Sequence, residues 1–267
     1  MKTFDQLTIR DDFLFCKVMS TPHLCRHMIE LLLNIEVDHI DFATKQHVID
    51  PDYSRHSIRL DVYVKNSDKI FDVELQTTNK KNIEKRVRYY QALMDIEQLE
   101  HHADYKMLKP TYVIFICTFD PFGMDLLSYT VQQTFLEKNS SHYTDNTNKV
   151  FYNLTASELN RKDSELGNFL RYLNSCKPSD SFTNEIDTAV TEAKYNVKWR
   201  NEFMTLEMLL QEEHENAFEE GQAHGAAQQT LKNAVIAVKK FNVPVADVAR
   251  EYGIDLADLE KALGESA

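Results

Sequence analysis

The stretch "RLDVYVKNSDKIFDVELQ", residues 59–76, alternates apolar and polar side chains on both sides of the turn residues "NSDK". Successive side chains of a strand point to opposite faces, so this pattern predicts two antiparallel strands joined by a hairpin. On the second strand the apolar residues would pack inward, whereas Asp72, Glu74 and Gln76 would share the other face. Such a polar row is either a solvated face or the wall of a metal site.

The hairpin would also bring Asp61, on the first strand, onto the same face as Glu74. Two converging carboxylates suit a hard cation such as Mg²⁺, which keeps several waters for a phosphate substrate and a nucleophile. Gln76 would stand beside the same ion, where its amide can orient a water. Asp72 is either a third ligand or an outward acid near an ordinary hairpin.

The flanking segments indicate a mixed α/β arrangement. Residues 11–34 have helical spacing interrupted at Pro22, and residues 83–102 fit a further helix. The run "IDFATKQHVI", residues 40–49, adds a strand before the hairpin, and "TYVIFIC", residues 111–117, is continuously apolar, as a strand covered on both faces tends to be. The predicted order is helix, three antiparallel strands, helix, strand.

In the second half of the chain the sequence pattern separates strands, loops and helices less clearly. Residues 126–155 resemble further strands with "SSHYTDNTNK" as a polar loop, and the chain is then mostly helical. We predict a domain over residues 1–200, an acidic helix with the Gly-containing linker "EEGQAHGAAQ" over residues 201–230, and a small helical module over residues 231–267. The last of these contains three short amphipathic segments broken at "NVP" and at Gly253.

The charge of the chain is unevenly distributed. A formal net charge of -12 by itself disfavours a nucleic-acid partner, because phosphate binding depends mostly on Lys and Arg. However, residues 201–220 hold seven Glu and no Lys or Arg, whereas residues 80–90 hold five basic side chains and one Glu. The basic segment follows the acidic strand directly, so both could face one phosphate substrate.

Cysteine usage and hydropathy limit the location of the protein. The four cysteines form no C-x-x-C pair, and Cys117 lies inside an apolar run, which favours a buried thiol over a disulfide or structural zinc. The N-terminus has no apolar signal core, and no stretch approaches the roughly 18 apolar residues of a membrane span. We therefore expect a cytoplasmic protein without a membrane partner.

Three motifs occur in an order that resembles a known family. "SIRLDVYVKNSDKIFDVELQ", "EKRVRYYQALMDIEQL" and "YKMLKPTYVIFICTFDPFG" are similar to the PD-(D/E)XK nuclease-family transposases of bacteria, relatives of the Rpn recombination-promoting nucleases. "DDFLFCKVM" and "VKWRNEFM…EEGQAHG" extend the resemblance to residues 8–225. It implies an α/β (α+β) restriction-endonuclease-like core, a mixed sheet flanked by helices with a helical C-terminal region, and metal-dependent cleavage of DNA.

The resemblance also assigns residues. Asp61 matches the first catalytic acid and Glu74 the second, which would make them the ligands of Mg²⁺ or Mn²⁺. Gln76 stands where the wider superfamily usually has Lys, and Leu60 stands where it usually has Pro. Both departures resemble the transposase-like branch, but a Gln can only hydrogen-bond, whereas a Lys could stabilise the charge that develops on phosphorus.

Further candidates follow from the same resemblance. Arg86, Arg88 and Tyr90 match an R-x-R-Y-Y segment, which implies DNA-phosphate contact and support of the site. Glu30, on a predicted helix, is either a first-helix metal ligand or a solvated side chain.

Two functions remain open at the level of the sequence. The first is a metal-dependent DNA endonuclease related to recombination or mobile elements. The alternative is a nuclease-like protein that binds DNA or a protein partner without cutting. The tail has helix-turn-helix spacing, but Asp255, Asp258 and Glu260 would repel phosphate, so a packing module that assembles a homo-oligomer is the better interpretation.

Overall fold

The computed structural model describes residues 2–42, 48–49, 58–79, 81–99 and 102–265. The predicted turn "DPDYS", Lys80 and His101 lie outside the described residues. The chain forms two compact units, Met1–Arg200 and Asn201–Ala267.

The first unit contains the strands and most of the helices. Its helices are α1 (Asp12–Met19), α2 (Pro22–Leu33), α3 (Ile83–Gln98), α4 (Glu165–Ser175) and α5 (Ser181–Lys194), and α6 (Val197–Phe241) begins in it. Its strands are β1 (Asp41–Phe42), β2 (Val48–Ile49), β3 (Ile58–Arg59), β4 (Val62–Lys65), β5 (Ile70–Gln76), β6 (Thr111–Cys117), β7 (Ser128–Val131), β8 (Gln133–Phe135), β9 (Lys138–Tyr143) and β10 (Thr147–Asn153).

The described strands form one mixed sheet of six, in the order β1-β4-β5-β6-β10-β7, and two separate two-stranded sheets. β5 and β6 are parallel, as are β6 and β10, and the other neighbours in the large sheet are antiparallel. Parallel strands require a crossover, and α3 is the crossover from β5 to β6. The predicted mixed sheet with flanking helices is therefore confirmed.

Both faces of β5 are covered. α3 packs over the face that carries the polar row, in a buried cluster with the sheet residues Tyr63, Val113, Phe115 and Phe151. On β10, the Tyr152 hydroxyl donates a hydrogen bond to the Leu32 carbonyl of α2. A central strand that is buried on both faces cannot present a solvated row, so that alternative for "FDVELQ" is wrong.

The hairpin between β4 and β5 forms as predicted, with Val62 paired to Val73. Asn66 closes the turn, because its side-chain oxygen accepts hydrogen bonds from the backbone N–H groups of Asp68, at 3.1 Å, and Lys69, at 2.7 Å. This is the local side-chain to backbone bonding that places Asn at turns.

Some of the helix and strand boundaries agree with those predicted from the sequence, and others differ. α2 begins at Pro22, whose missing N–H is harmless in the first turn of a helix. β6 occupies residues 111–117, as predicted, whereas α3 ends at Gln98, before the expected His102. Within the first predicted strand, residues 40–49, the described residues contain β1, which pairs with β4, and β2, which pairs with β3 in a separate sheet.

The polar stretch "SSHYTDNTNK" is mostly strand, so the predicted loop is wrong. β9 pairs with β8 in a two-stranded hairpin, and β10 begins at Thr147. Polar side chains are tolerated in such a hairpin because most of its described side chains are exposed. The Asp145 carboxylate accepts hydrogen bonds from the Thr147 N–H and hydroxyl, which fixes the turn into β10.

The second unit consists of the rest of α6 with α7 (Val245–Tyr252) and α8 (Leu256–Glu265). α6 continues through Gly221 and Gly225, so the expected linker is helical rather than a break. Each Gly costs about 1 kcal/mol in a helix, and the Ala and Gln residues around them favour helix enough to offset this. The later breaks at "NVP" and Gly253 are confirmed.

The unit has a small apolar core formed by Ala234, Val248, Ala249 and Leu259. Among the helices of the described residues, none combines the length and the hydropathy that crossing a membrane requires.

Candidate active site

The hairpin holds two carboxyl groups side by side where β4 begins. The Asp61 backbone N–H donates a hydrogen bond to Glu74 Oε1 at 2.9 Å, and the Leu75 N–H donates to Asp61 Oδ2 at 3.1 Å. Each carboxylate thus binds the backbone of the opposite strand, which fixes both side chains. The structure therefore brings together the two predicted metal ligands.

The acids on β5 are removed from water. Glu74 is 6% exposed and Asp72 is fully buried. Burial raises the pKa of Glu74 well above its ordinary value, and the negative charges of Asp61 and Asp72 raise it further. Burial, followed by the charge of Asp61, raises the pKa of Asp72 in the same way. The site therefore has an excess of negative potential that a cation would relieve.

The donor set fits a hard divalent cation. The fully buried carboxyl of Asp72 interacts with the side chain of Glu74 and accepts no N–H donor from the described residues, so a cation nearby would compensate this pair of acids. Within the described ranges no three His, Cys, Asp or Glu side chains are grouped closely enough to hold a metal ion. The protein would thus supply the two carboxylates of Asp61 and Glu74, and water and phosphate would supply the rest, as Mg²⁺ commonly requires.

Gln76, the last residue of β5, is bound at both ends of its amide. Its Oε1 accepts a hydrogen bond from Arg86 Nη1 at 2.5 Å, and its Nε2 donates to the Thr78 carbonyl at 2.9 Å. Gln76 thus contacts Arg86 of α3 directly. The sequence did not predict this contact.

Arg86 is held from three directions. Besides its contact with Gln76, Nη2 donates a hydrogen bond to the Tyr90 hydroxyl at 3.1 Å. The guanidinium lies over the rings of Tyr90 and Phe115, at 5.6 and 5.4 Å from their centroids. Its positive charge also opposes the rise in the pKa of Glu74. Arg86 is thus a fixed cation beside the acids.

Arg88 has a different environment. It is exposed on α3, near the exposed Lys81 and Lys85 at the start of the helix. Residues two apart on a helix do not share a face, so Arg86 can point into the site while Arg88 points to solvent. The two predicted phosphate contacts are therefore not equivalent.

Tyr90 accepts the hydrogen bond from Arg86 through its hydroxyl, and its predicted role as support of the site stays a prediction. Tyr90 is 8% exposed, and burial, with the charge of Glu74, raises its pKa to about 12. It therefore keeps its proton at neutral pH and serves as a hydrogen-bond partner for Arg86.

Glu30 has a contact that serves the fold. Its Oε1 accepts a hydrogen bond from the Val37 N–H at 3.0 Å, which ties the segment after α2 back to the helix. A role for Glu30 as a metal ligand stays a prediction.

Cys16 is a neighbour of the site that sequence reasoning missed. Its Sγ lies 3.9 Å from Asp61 Oδ1, and the residue is 6% exposed. The contact joins residues 45 positions apart through the packing of α1, and no spacing rule reaches so far. The only signal available was the resemblance of "DDFLFCKVM" to the family.

A comparison with family models gives one match. The model described as PD-(D/E)XK nuclease family transposase covers residues 9–224 of the chain. No curated protein and no solved structure matches the chain. All the residues of the candidate site lie within the matched range.

Proposed function

The chain belongs to the PD-(D/E)XK nuclease family transposases, and from this premise we propose that it is a divalent-metal-dependent DNA endonuclease. Nucleases of the PD-(D/E)XK type generally use divalent metal ions. The observation that carries the proposal is the fixed pair of carboxylates, Asp61 and Glu74, with Glu74 buried beside the fully buried Asp72. The family supports a role connected with mobile elements, and DNA recombination is the proposed context.

The chemistry is hydrolysis of a phosphodiester bond. Asp61 and Glu74 would hold Mg²⁺, or Mn²⁺ in its place, and the cation, when bound, polarises the phosphoryl group and lowers the pKa of water. The buried carboxylates create the negative potential that attracts the cation. The strand-to-strand hydrogen bonds of both acids preserve their geometry during turnover.

DNA binding is assigned to the basic start of α3. Lys81, Lys85 and Arg88 are exposed there, so their charges are available to neutralise phosphates and release counterions. The net charge of -12 does not oppose this role, because the seven Glu of residues 201–220, which have no Lys or Arg among them, account for more than half of it. These contacts would give affinity without base sequence specificity.

The second unit is proposed to serve assembly. Its apolar core of four buried residues is small for an independent module, and joining two copies is a common way to stabilise such a unit. A homo-oligomer formed through this unit is therefore the proposed partner besides DNA.

Plasmid cleavage tests the proposal. With Mg²⁺ or Mn²⁺ the purified protein is expected to nick or linearise supercoiled plasmid, and Asp61→Ala and Glu74→Ala are each expected to lower the rate by at least ~10²-fold. Glu213→Ala, in the exposed acidic part of α6, is the matched control and should cleave normally. Circular dichroism spectra would check that all three variants are folded.

Two results would contradict the proposal. Full cleavage by either site variant, or in EDTA, would exclude the metal mechanism. No cleavage by the wild-type protein with any divalent metal, together with retention of DNA in a filter-binding assay, would favour the alternative of a nuclease-like protein that binds without cutting.

A further inference from the structure

Hydrolysis of a phosphodiester at a site with one metal ion is accelerated by a further positive charge. Negative charge accumulates on the non-bridging phosphate oxygens in the transition state, and a preorganised cation there lowers the barrier. Gln76 is neutral, and Asp61, Asp72 and Glu74 are acidic. Arg86 is the residue whose positive charge acts on both Asp72 and Glu74.

We infer that Arg86 is a catalytic residue that contacts the scissile phosphate, and that Gln76 is a positioning residue that holds the Arg86 guanidinium. The inference rests on the proposed function, because it concerns the same site. It replaces the expected role of Gln76, the orientation of a water, with a role in fixing a cation.

The contacts of Arg86 leave it able to bind phosphate. A guanidinium has five N–H donors, of which one goes to Gln76 and one to Tyr90. No other described residue accepts a hydrogen bond from the guanidinium, which leaves three N–H groups toward this part of the chain, and a planar fork of such donors matches the oxygens of a phosphate. The aromatic faces of Tyr90 and Phe115 hold the guanidinium plane without consuming donors.

The contacts of Gln76 explain why a neutral residue suits this position. Its amide oxygen faces Arg86 and its amide nitrogen faces the Thr78 carbonyl, so each atom has a complementary partner. A carboxylate here would pair with Arg86 and cancel the charge that the phosphate needs. The amide orients the guanidinium and leaves its charge available.

The reaction then balances as follows. A water oxygen forms a new bond to phosphorus, the bond from phosphorus to the leaving sugar oxygen breaks, and the products are a phosphomonoester and an alcohol. The water gives a proton to solvent, and the leaving oxygen takes one from solvent. Arg86 donates N–H groups to a non-bridging oxygen while the negative charge on it increases.

Steady-state cleavage by the full-length protein tests the inference. Arg86→Ala is expected to lower kcat by about 10²-fold while changing KM less than about threefold. Arg88→Ala, two residues away on α3, is expected to act mainly on KM and to reduce the salt dependence of binding. Loss of folded enzyme would also lower the apparent kcat without changing KM, so the melting temperature of Arg86→Ala is measured alongside and the rescue experiments below separate the two causes.

Two rescue experiments separate charge from structure. Guanidinium chloride at about 20 mM, with sodium chloride at the same ionic strength as control, is expected to raise the activity of Arg86→Ala about tenfold, since the added ion replaces the lost group. The double variant Gln76→Lys with Arg86→Ala is expected to exceed Arg86→Ala by a similar factor. In it the Lys ammonium would occupy the space near the former guanidinium.

Gln76→Glu keeps the contact with Arg86 and therefore tests the inference even where Arg86→Ala is poorly folded. It is expected to lower kcat at least about tenfold, while the ion pair with Arg86 offsets part of the stability lost with the hydrogen bond to the Thr78 carbonyl, and the melting temperature confirms that the variant is folded. Normal kcat in Gln76→Glu, or in folded Arg86→Ala, overturns the inference while the proposed function stands. A wild-type protein that cleaves no DNA overturns both.

Discussion

Glutamate occurs in two contrasting environments in this protein. Glu74 lies in the centre of a six-stranded sheet and is 6% exposed. Five glutamates of α6, by contrast, are exposed to solvent: Glu212, Glu213, Glu215, Glu219 and Glu220. A solvated carboxylate costs little in folding, whereas a buried one costs several kcal/mol unless a cation or hydrogen bonds compensate it. Burial of an acid, rather than the number of acids, therefore marks the candidate site.

The same contrast holds between the two units. In the first, Asp72 and Glu74 are buried next to a fixed arginine. In the described part of the second, all the buried residues are apolar, and they include Phe203 besides the four of the small core. Chemistry is thus expected in residues 1–200, and the acidic second unit contributes charge and assembly surface.

Metal affinity should show the largest difference between the two environments. Glu74→Gln is expected to weaken Mn²⁺ binding at least ~10²-fold, because it removes one of only two carboxylate ligands from a site with a low dielectric constant. Glu213→Gln should leave the affinity unchanged. Isothermal titration calorimetry in the absence of DNA measures both, and equal affinities in the two variants would contradict the assignment of the site.

The buried acids should also make the free energy of unfolding depend on pH, and this effect is expected to be smaller than the change in metal affinity. The folded-state pKa values of Asp72 and Glu74 are raised above the ordinary 3.8 and 4.5. Their contribution to the free energy of unfolding is therefore fully present below those ordinary values and is lost as the pH rises through the raised ones. The metal-free protein should become less stable between acidic and alkaline pH.

Asp72→Asn isolates this effect. It is expected to stabilise the metal-free protein at pH 8 by about 2 kcal/mol, because a buried neutral amide costs less than a buried charge. Added Mg²⁺ should stabilise the wild-type protein at the same pH. Urea unfolding across the pH range is the measurement, and a variant that is destabilised at pH 8 would show that Asp72 has a compensating partner.

Removal of the residues after Gln229 should give the smallest change in activity. A chain that ends at Gln229 lacks the small core of the second unit but keeps every residue of the candidate site. Its nicking rate is expected to stay within about twofold of the full-length rate, whereas its mass by light scattering should fall if the second unit joins two copies. Loss of cleavage in a folded truncation would show that the second unit completes the site.

Local patterns were sufficient to predict much of the site. The alternation in residues 62–76 and the Asn66 turn fixed the pairing of β4 with β5, because strand periodicity and a short hairpin leave little freedom of register, and Asp61, the residue before β4, then lies next to Glu74. The boundaries of β6 and the break at Pro22 also followed from local composition. Two glycines suggested a linker at residues 221–230, and the structure has helix there because their neighbours favour it.

The sequence by itself determined the hairpin, the pair of acids and the basic start of α3, since each depends on residues close together in the chain. Only the tertiary structure decided that α3 covers the acidic face, that Arg86 turns inward to Gln76 while Arg88 stays exposed, and that Cys16 contacts Asp61. These contacts depend on which face of a helix meets the sheet. Packing of the whole core sets that choice, and strand periodicity carries no information about it.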